Sequence, residues 1–332
     1  MAINLDELKP YLVTPNPNDK IWLFYGEMAT RKTSVACQFS KSLLIAFDIG
    51  YKLISNGKHI PAPIQTWSDF KSIVKQLDKP ANKERFEVVI IDTIGMAYQA
   101  CYNYMCTQMG VSDPGEVGFG MGWKKIRNEF ETVVRSICQK GYGLIMLGHS
   151  DEIEKEDKVS KKKVLNVKID IDKRPDLIIK QLADFVFYLH KEIEDGTEQP
   201  TVFAYSNLVD IDTKSRSIYF SRRFEFTYDN LVSELYSAVK KQYEAEGLQM
   251  PTCFDNQNPY KQEEVNFYEL RDNTVNLATK LIDKGYQEDV STLLLNVFKG
   301  TKLSELVETD ETIERLSVVY STLNELKAKA RL

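Results

Sequence analysis

The stretch "YGEMATRKTS" occupies residues 25–34, between an apolar run of strand length, "IWLFY" (21–25), and a segment that reads as a helix, "KTSVACQFS" (32–40). The pattern G-x-x-x-x-G-K-[ST] describes a loop whose backbone N–H groups point inward at phosphates. Its lysine reaches those phosphates and its Ser/Thr hydroxyl binds magnesium. Gly26, Lys32 and Thr33 stand at three of the required positions, in the required order of strand, loop and helix. Arg31 stands where the second glycine belongs. Glycine is used there because the backbone packs against phosphate and turns left-handed, which costs a residue with a Cβ about 1–2 kcal/mol. An arginine therefore predicts a loop on a somewhat different path.

Working outward, the run "LLIAF" (43–47) ends at Asp48, and "TWSD" (66–69) offers a capping box for "FKSIVKQL", which would bury Phe70, Ile73, Val74 and Leu77. "EVVIIDT" (87–93) places Asp92 directly after Val88–Ile91, an uninterrupted apolar run expected of a strand buried on both faces. Asp92 is a candidate metal carboxylate; the alternative reading is a helix cap for "TIGMAY". A Gly-rich loop, "GVSDPGEVGFGMGW" (110–123), leads to a helix with Trp123, Ile126, Phe130, Val133, Val134 and Ile137 on one core face. "GLIMLGHS" (143–150) is the next buried strand and ends on polar residues, His149 among them. Such alternation predicts an α/β fold, a mostly parallel sheet with ligands at the carboxyl ends of its strands.

Beyond it lies a charged tip, "DEIEKEDKVSKKK" (151–163), with Lys158, Lys161, Lys162 and Lys163 after an acidic stretch. Lysines there suit phosphates of nucleic acid, although the tip has no aromatic for base stacking; the alternative is a solvated hairpin end. Shorter strands are expected at "VLNVKIDI", "DFVFYLH", "TVFAYS" and "SIYF", then a helix over 228–247. The segment 248–262, with two prolines and no period, reads as a linker. The expected organisation is an N-terminal segment 1–19, an α/β domain 20–247, this linker, and an all-helical domain 263–332. The last carries two apolar stripes: Val290, Leu293, Leu294 and Val297, and Ile313, Leu316, Val319, Tyr320, Leu323 and Leu326.

Net charge is −5, of which −4 falls from Asp255 onward, where 10 Lys+Arg face 14 Asp+Glu. No global positive field attracts nucleic acid, so such binding needs local patches, and the acidic helices suit a protein partner. Five cysteines and three histidines form no zinc spacing and no disulfide framework. The N-terminus has no basic and apolar signal pattern, and no apolar run spans a bilayer; a cytosolic protein without membrane contact is expected.

Taken together, "YGEMATRKTS", "AFDIGYK", "VVIIDTIGMAY", "GWKKIRNEFE" and "GLIMLGHSDE" resemble, over about residues 20–225, the RecA-like phage AAA-type nucleotide-binding proteins, a group that includes single-strand-annealing recombination ATPases. The resemblance implies a RecA-like P-loop fold that binds ATP with Mg2+. It makes Gly26, Glu27, Met28, Ala29, Thr30, Arg31, Lys32, Thr33 and Ser34 the nucleotide loop, Thr33 and Asp92 the metal ligands, and His149 the sensor of the γ-phosphate. Where such proteins carry a glutamate that polarises the attacking water, this chain has Gly50, which leaves Asp48 as the nearest carboxylate. The resemblance further implies that the loop after the sensor strand, here 151–163, is the one that would contact single-stranded DNA. Arg222 and Arg223 are a second candidate, for DNA phosphates or as an arginine finger into a neighbouring subunit of a homo-oligomer. The alternative function is a non-hydrolysing, nucleotide-dependent scaffold or DNA-binding protein with a degenerate loop.

Overall fold

The computed structural model describes residues 12–54, 59–156, 163–193, 199–208, 211–251 and 266–329. Two compact units divide the chain, one spanning Leu12–Lys261 and one containing Gln262–Leu332.

In the larger unit the apolar runs become the strands β1 (Ile21–Gly26), β2 (Ser42–Ala46), β3 (His59–Pro63), β4 (Val88–Asp92), β5 (Gly143–Glu156), β6 (Lys163–Ile169), β7 (Phe185–Glu192), β8 (Thr201–Tyr205), β9 (Lys214–Ser215) and β10 (Arg223–Glu225). The helices are α1 (Lys32–Ala36), α2 (Trp67–Gln76), α3 (Pro80–Arg85), α4 (Ile94–Met109), α5 (Met121–Gln139), α6 (Lys173–Leu182) and α7 (Tyr228–Ala245). The main sheet has the order β10-β8-β7-β1-β5-β4-β2-β3. From β7 to β3 every pair is parallel, and β8 and β10 add antiparallel strands at one end. β1 and β4 are separated by β5. The fold is α/β with a mostly parallel central sheet flanked by helices.

Burial on both faces explains the unbroken apolar runs. Leu23, Tyr25, Val89, Ile91, Leu144 and Met146 face α2, α4, α5 and α6, while Trp22, Phe24, Val88, Ile90, Ile145 and Leu147 face α1 and α7. Thr66 caps α2 as expected, its hydroxyl accepting from the N–H of Asp69 at 3.1 Å. All three tryptophans lie in this unit. Trp22 and Trp67 are fully buried, and Trp123 lies under the Arg174 guanidinium at 4.2 Å. Cys37, Cys101, Cys106 and Cys138 are buried free thiols.

Two expectations are corrected, and one strand lies where none was expected. "SIYF" (217–220) forms no strand, because the Ser215 hydroxyl donates to Ser217 O at 2.7 Å and curls the backbone out of a ladder. Its Phe220 instead packs on Phe185 and Phe187, with centroids at 5.1 and 5.3 Å. "HIPAP", which gives no strand signal, is β3, an edge strand where its prolines lose no ladder bond. The charged tip is shorter than expected: β5 continues to Glu156 and pairs antiparallel with β6 down to Glu156↔Lys163.

The second unit is all-helical: α8 (Phe267–Asp283), α9 (Gln287–Phe298) and α10 (Asp310–Lys329) enclose a core that includes Leu277, Leu281, Val290, Leu316, Val319 and Leu323. Among the described residues, no helix is long and apolar enough to cross a membrane.

Candidate nucleotide site

Parallel strands bring their carboxyl ends to one edge, and the register states which residues meet there. Gly26 at the end of β1 lies opposite His149 of β5 and Leu189 of β7, while Asp92 of β4 lies opposite Ala46 and Leu147. A Cβ on Gly26 would stand 2.1 Å from the Leu189 carbonyl oxygen. Glycine at the loop's first position is thus required by strand packing before any ligand is considered.

The loop folds around its lysine. Lys32 Nζ donates to Gly26 O at 3.0 Å, Glu27 O at 2.6 Å and Thr30 Oγ1 at 3.1 Å, and Thr30 in turn donates to Glu27 O at 2.9 Å. Burial lowers the Lys32 pKa to about 8, against the opposing pull of the Asp92 and Glu27 carboxylates, and Lys191 lowers it further. Met28 and Ala29 are exposed, and Ser34 is half-buried.

Arg31 does not divert the loop. It takes φ 57°, ψ 20°, the left-handed conformation a glycine would adopt, and its side chain is exposed with no hydrogen bond or ion pair among the described residues. Ala29 is left-handed too, at φ 58°. The chain accepts backbone strain of about 1–2 kcal/mol at such a position and keeps the loop's path.

Across β5, Asp92 is free for chemistry because its neighbour does the capping: Thr93 Oγ1 accepts from the Met96 N–H at the start of α4. The Asp92 carboxylate instead receives the Thr33 hydroxyl at 2.8 Å. Burial raises the Asp92 pKa, and Asp48 nearby adds to the rise; the Thr33 hydrogen bond, Lys32 and His149 oppose it. The Asp92 carbonyl takes the N–H groups of Phe47 and Asp48 at 2.7 and 3.2 Å, which holds Asp48 beside the site. Gly50 lies on the same segment, and a Cβ added to it would find nothing within 4 Å, so a longer side chain would meet no steric bar.

The oxygen pair Thr33 and Asp92 fits magnesium, which takes one or two protein oxygens and completes its octahedron with water and phosphate. Among the described residues, no cluster of three His, Cys, Asp or Glu could hold a metal by itself.

His149 projects an exposed side chain beside Gly26. Lys158, Lys161 and Lys162 lie outside the described residues, and Lys163 opens β6. Arg222 is exposed, whereas Arg223 is engaged within the chain, by Glu192 at 2.9 Å and over the Phe203 ring at 3.4 Å. Sequence reading missed the end of β7: His190 Nδ1 meets the Glu27 carboxylate, and Lys191 Nζ lies 3.8 Å from it. The available signal was an apolar strand ending in polar residues, the same signal that marks Asp92 and His149.

A parallel sheet with a phosphate-type loop at the end of β1 and a Thr33–Asp92 pair reaching it across β5 fits an AAA-type P-loop NTPase domain. The AAA domain profile matches residues 18–226, and the chain belongs to that family. It is similar to the SPbeta prophage-derived uncharacterized protein YorG of Bacillus subtilis (strain 168), 27% identical over 337 residues, covering 99% of this chain and 100% of that one. Among solved structures it matches the flagellar accessory protein FlaH from Methanocaldococcus jannaschii at 13% identity and a TM-score of 0.34, over 64% of this chain and 86% of that one.

Proposed function

We propose that this protein binds ATP with Mg2+ through residues 26–34, hydrolyses it slowly, and couples that cycle to single-stranded DNA in phage recombination or replication in the host cytoplasm. The observation that carries the reading is the 2.8 Å Thr33–Asp92 hydrogen bond, made beside a buried Lys32 that the loop's own carbonyls hold in place. When bound, magnesium supplies charge neutralisation to the phosphates. Lys32 holds them as a point charge, Thr33 and Asp92 present oxygens to the metal, and Asp48 is placed to orient water. His149 reports the terminal phosphate along β5, which continues to Glu156, close in sequence to the lysines proposed to meet DNA. The prophage origin of the similar Bacillus protein supports the phage setting. Arg222 is available to DNA or to a neighbouring subunit, and the acidic helical unit, read as separable, suits a protein partner.

Phosphate release from purified protein, with and without single-stranded oligonucleotide, tests the activity; release above background that DNA stimulates is expected. Titration of labelled oligonucleotide with and without an ATP analogue tests the coupling, and equal affinity in both arms ends it.

The Lys32 amine gives binding a pH signature. Its pKa near 8 in the free protein rises when phosphate arrives, because an opposite charge favours the ammonium. Affinity should be flat below about pH 8 and fall above it by up to about tenfold per pH unit, with proton uptake on binding. Calorimetry at about pH 8.5 in two buffers of different ionisation enthalpy measures that uptake directly; no difference between the buffers contradicts it.

Arg31 and Gly50 favour the second reading, a nucleotide-dependent scaffold that does not hydrolyse. Arg31→Gly, which keeps the same backbone conformation, should leave ATP affinity within about an order of magnitude. Adding Gly50→Glu, for which there is open space, should raise turnover. A wild-type protein that binds ATP and releases no phosphate, with or without DNA, decides for the scaffold.

A further inference from the structure

Glu27 brings a carboxylate to the mouth of the loop that would receive a triphosphate, and a second anion there opposes binding. The carboxylate is held on the far side by the end of β7: Oε1 meets His190 Nδ1, and Oε2 lies 3.8 Å from Lys191 Nζ. Gly26 lies opposite Leu189 in the β1–β7 register, which brings Glu27, the next residue of the chain, beside His190 and Lys191, the next two residues of β7. Among the described residues, His190 also has the Tyr188 hydroxyl at 3.5 Å, the Tyr188 ring stacked at 6.0 Å, and Phe203 opposite on β8. The backbone of the same glutamate is held from the other side, because its carbonyl accepts from Lys32 Nζ and Thr30 Oγ1. Glu27 is therefore fixed at both ends, side chain to β7 and carbonyl to the lysine that binds phosphate.

We infer that His190, assisted by Lys191, is a positioning residue of the phosphate site: its hydrogen bond draws the Glu27 carboxylate aside, Lys191 offsets the charge, and the Glu27 carbonyl is thereby kept aimed at Lys32. The inference rests on the ATP reading and adds to it a second layer that includes no member of the sequence motif. A carboxylate released from His190 is free to swing toward the phosphates and repel them, and the peptide that anchors Lys32 loosens. Lys191 also acts on Lys32, lowering its pKa, so the four groups form one electrostatic cluster.

The test is a double-mutant cycle on the full chain, read as the Kd of a fluorescent ATP analogue with Mg2+ at about pH 7. His190→Ala should weaken binding at least about tenfold, within the range of coupling between residues of one network. In a Glu27→Gln background, adding His190→Ala should change Kd by less than about twofold, since no charge remains to be held. His190→Asn, which offers an N–H close to the Nδ1 position, should bind within about threefold of wild type and covers the case in which the alanine variant misfolds. A packing role alone would weaken binding equally in both backgrounds, and that result overturns the inference. So does His190→Ala with wild-type affinity, which leaves the ATP reading standing. Wild-type protein that binds no analogue overturns the ATP reading and the inference with it.

Discussion

Lys32→Ala protein should fold and lose ATP, with affinity down at least about a hundredfold. The ammonium is the loop's one buried cation, and charge-assisted hydrogen bonds to phosphate contribute about 1.5–3 kcal/mol each, against about 1.4 kcal/mol per tenfold in affinity. Two such bonds lost give the stated loss or more. The fold should survive, because burial already disfavours the charged form and the depressed pKa records that cost. Thermal unfolding establishes that the variant is folded, and a fluorescent nucleotide titration reads the affinity. Unchanged affinity in folded Lys32→Ala protein would remove the phosphate-loop assignment altogether.

Asp92→Asn separates metal from nucleotide. An amide oxygen can still accept the Thr33 hydroxyl at the observed 2.8 Å, so the local geometry is retained and only the charge is deleted. Hard cations depend on anionic oxygen, so the Mg2+ dependence of nucleotide binding should vanish while metal-free binding persists. Turnover should fall at least about a hundredfold, on the order of the loss seen when one electrostatic stabiliser of a transition state is removed. The measurement is a magnesium titration at fixed nucleotide, with phosphate release followed in parallel. A variant whose magnesium curve overlays that of wild type excludes Asp92 as the metal carboxylate.

How much of this was legible depends on the range of the interaction involved. Val88–Ile91 followed by Asp92 is legible because burial on both faces removes polar residues from the strand and the chain turns polar where it leaves the sheet. Thr93 removes the capping reading of Asp92, since it takes the capping role that the aspartate would otherwise fill. The Glu27–His190 contact joins residues 163 positions apart and depends on the register of β1 against β7, which no local pattern encodes. β3 escapes notice because its prolines contradict strand propensity and are tolerated only at an edge. Arg31 misleads in a different way: propensity argues against a left-handed arginine, and the chain takes that conformation at a strain of about 1–2 kcal/mol.

The placement of the indoles has a practical consequence. Trp22, Trp67 and Trp123 all belong to the α/β unit, and the helical unit after residue 261 contains none. Tryptophan emission therefore comes from the α/β unit alone, blue-shifted while Trp22 and Trp67 stay dry, whereas far-ultraviolet ellipticity sums helices from both units. A denaturant titration followed by both signals on one sample resolves the two halves without a label or a cut. Coincident curves mean that they melt as one cooperative body, and an ellipticity change at constant emission colour means that the helical half lets go first.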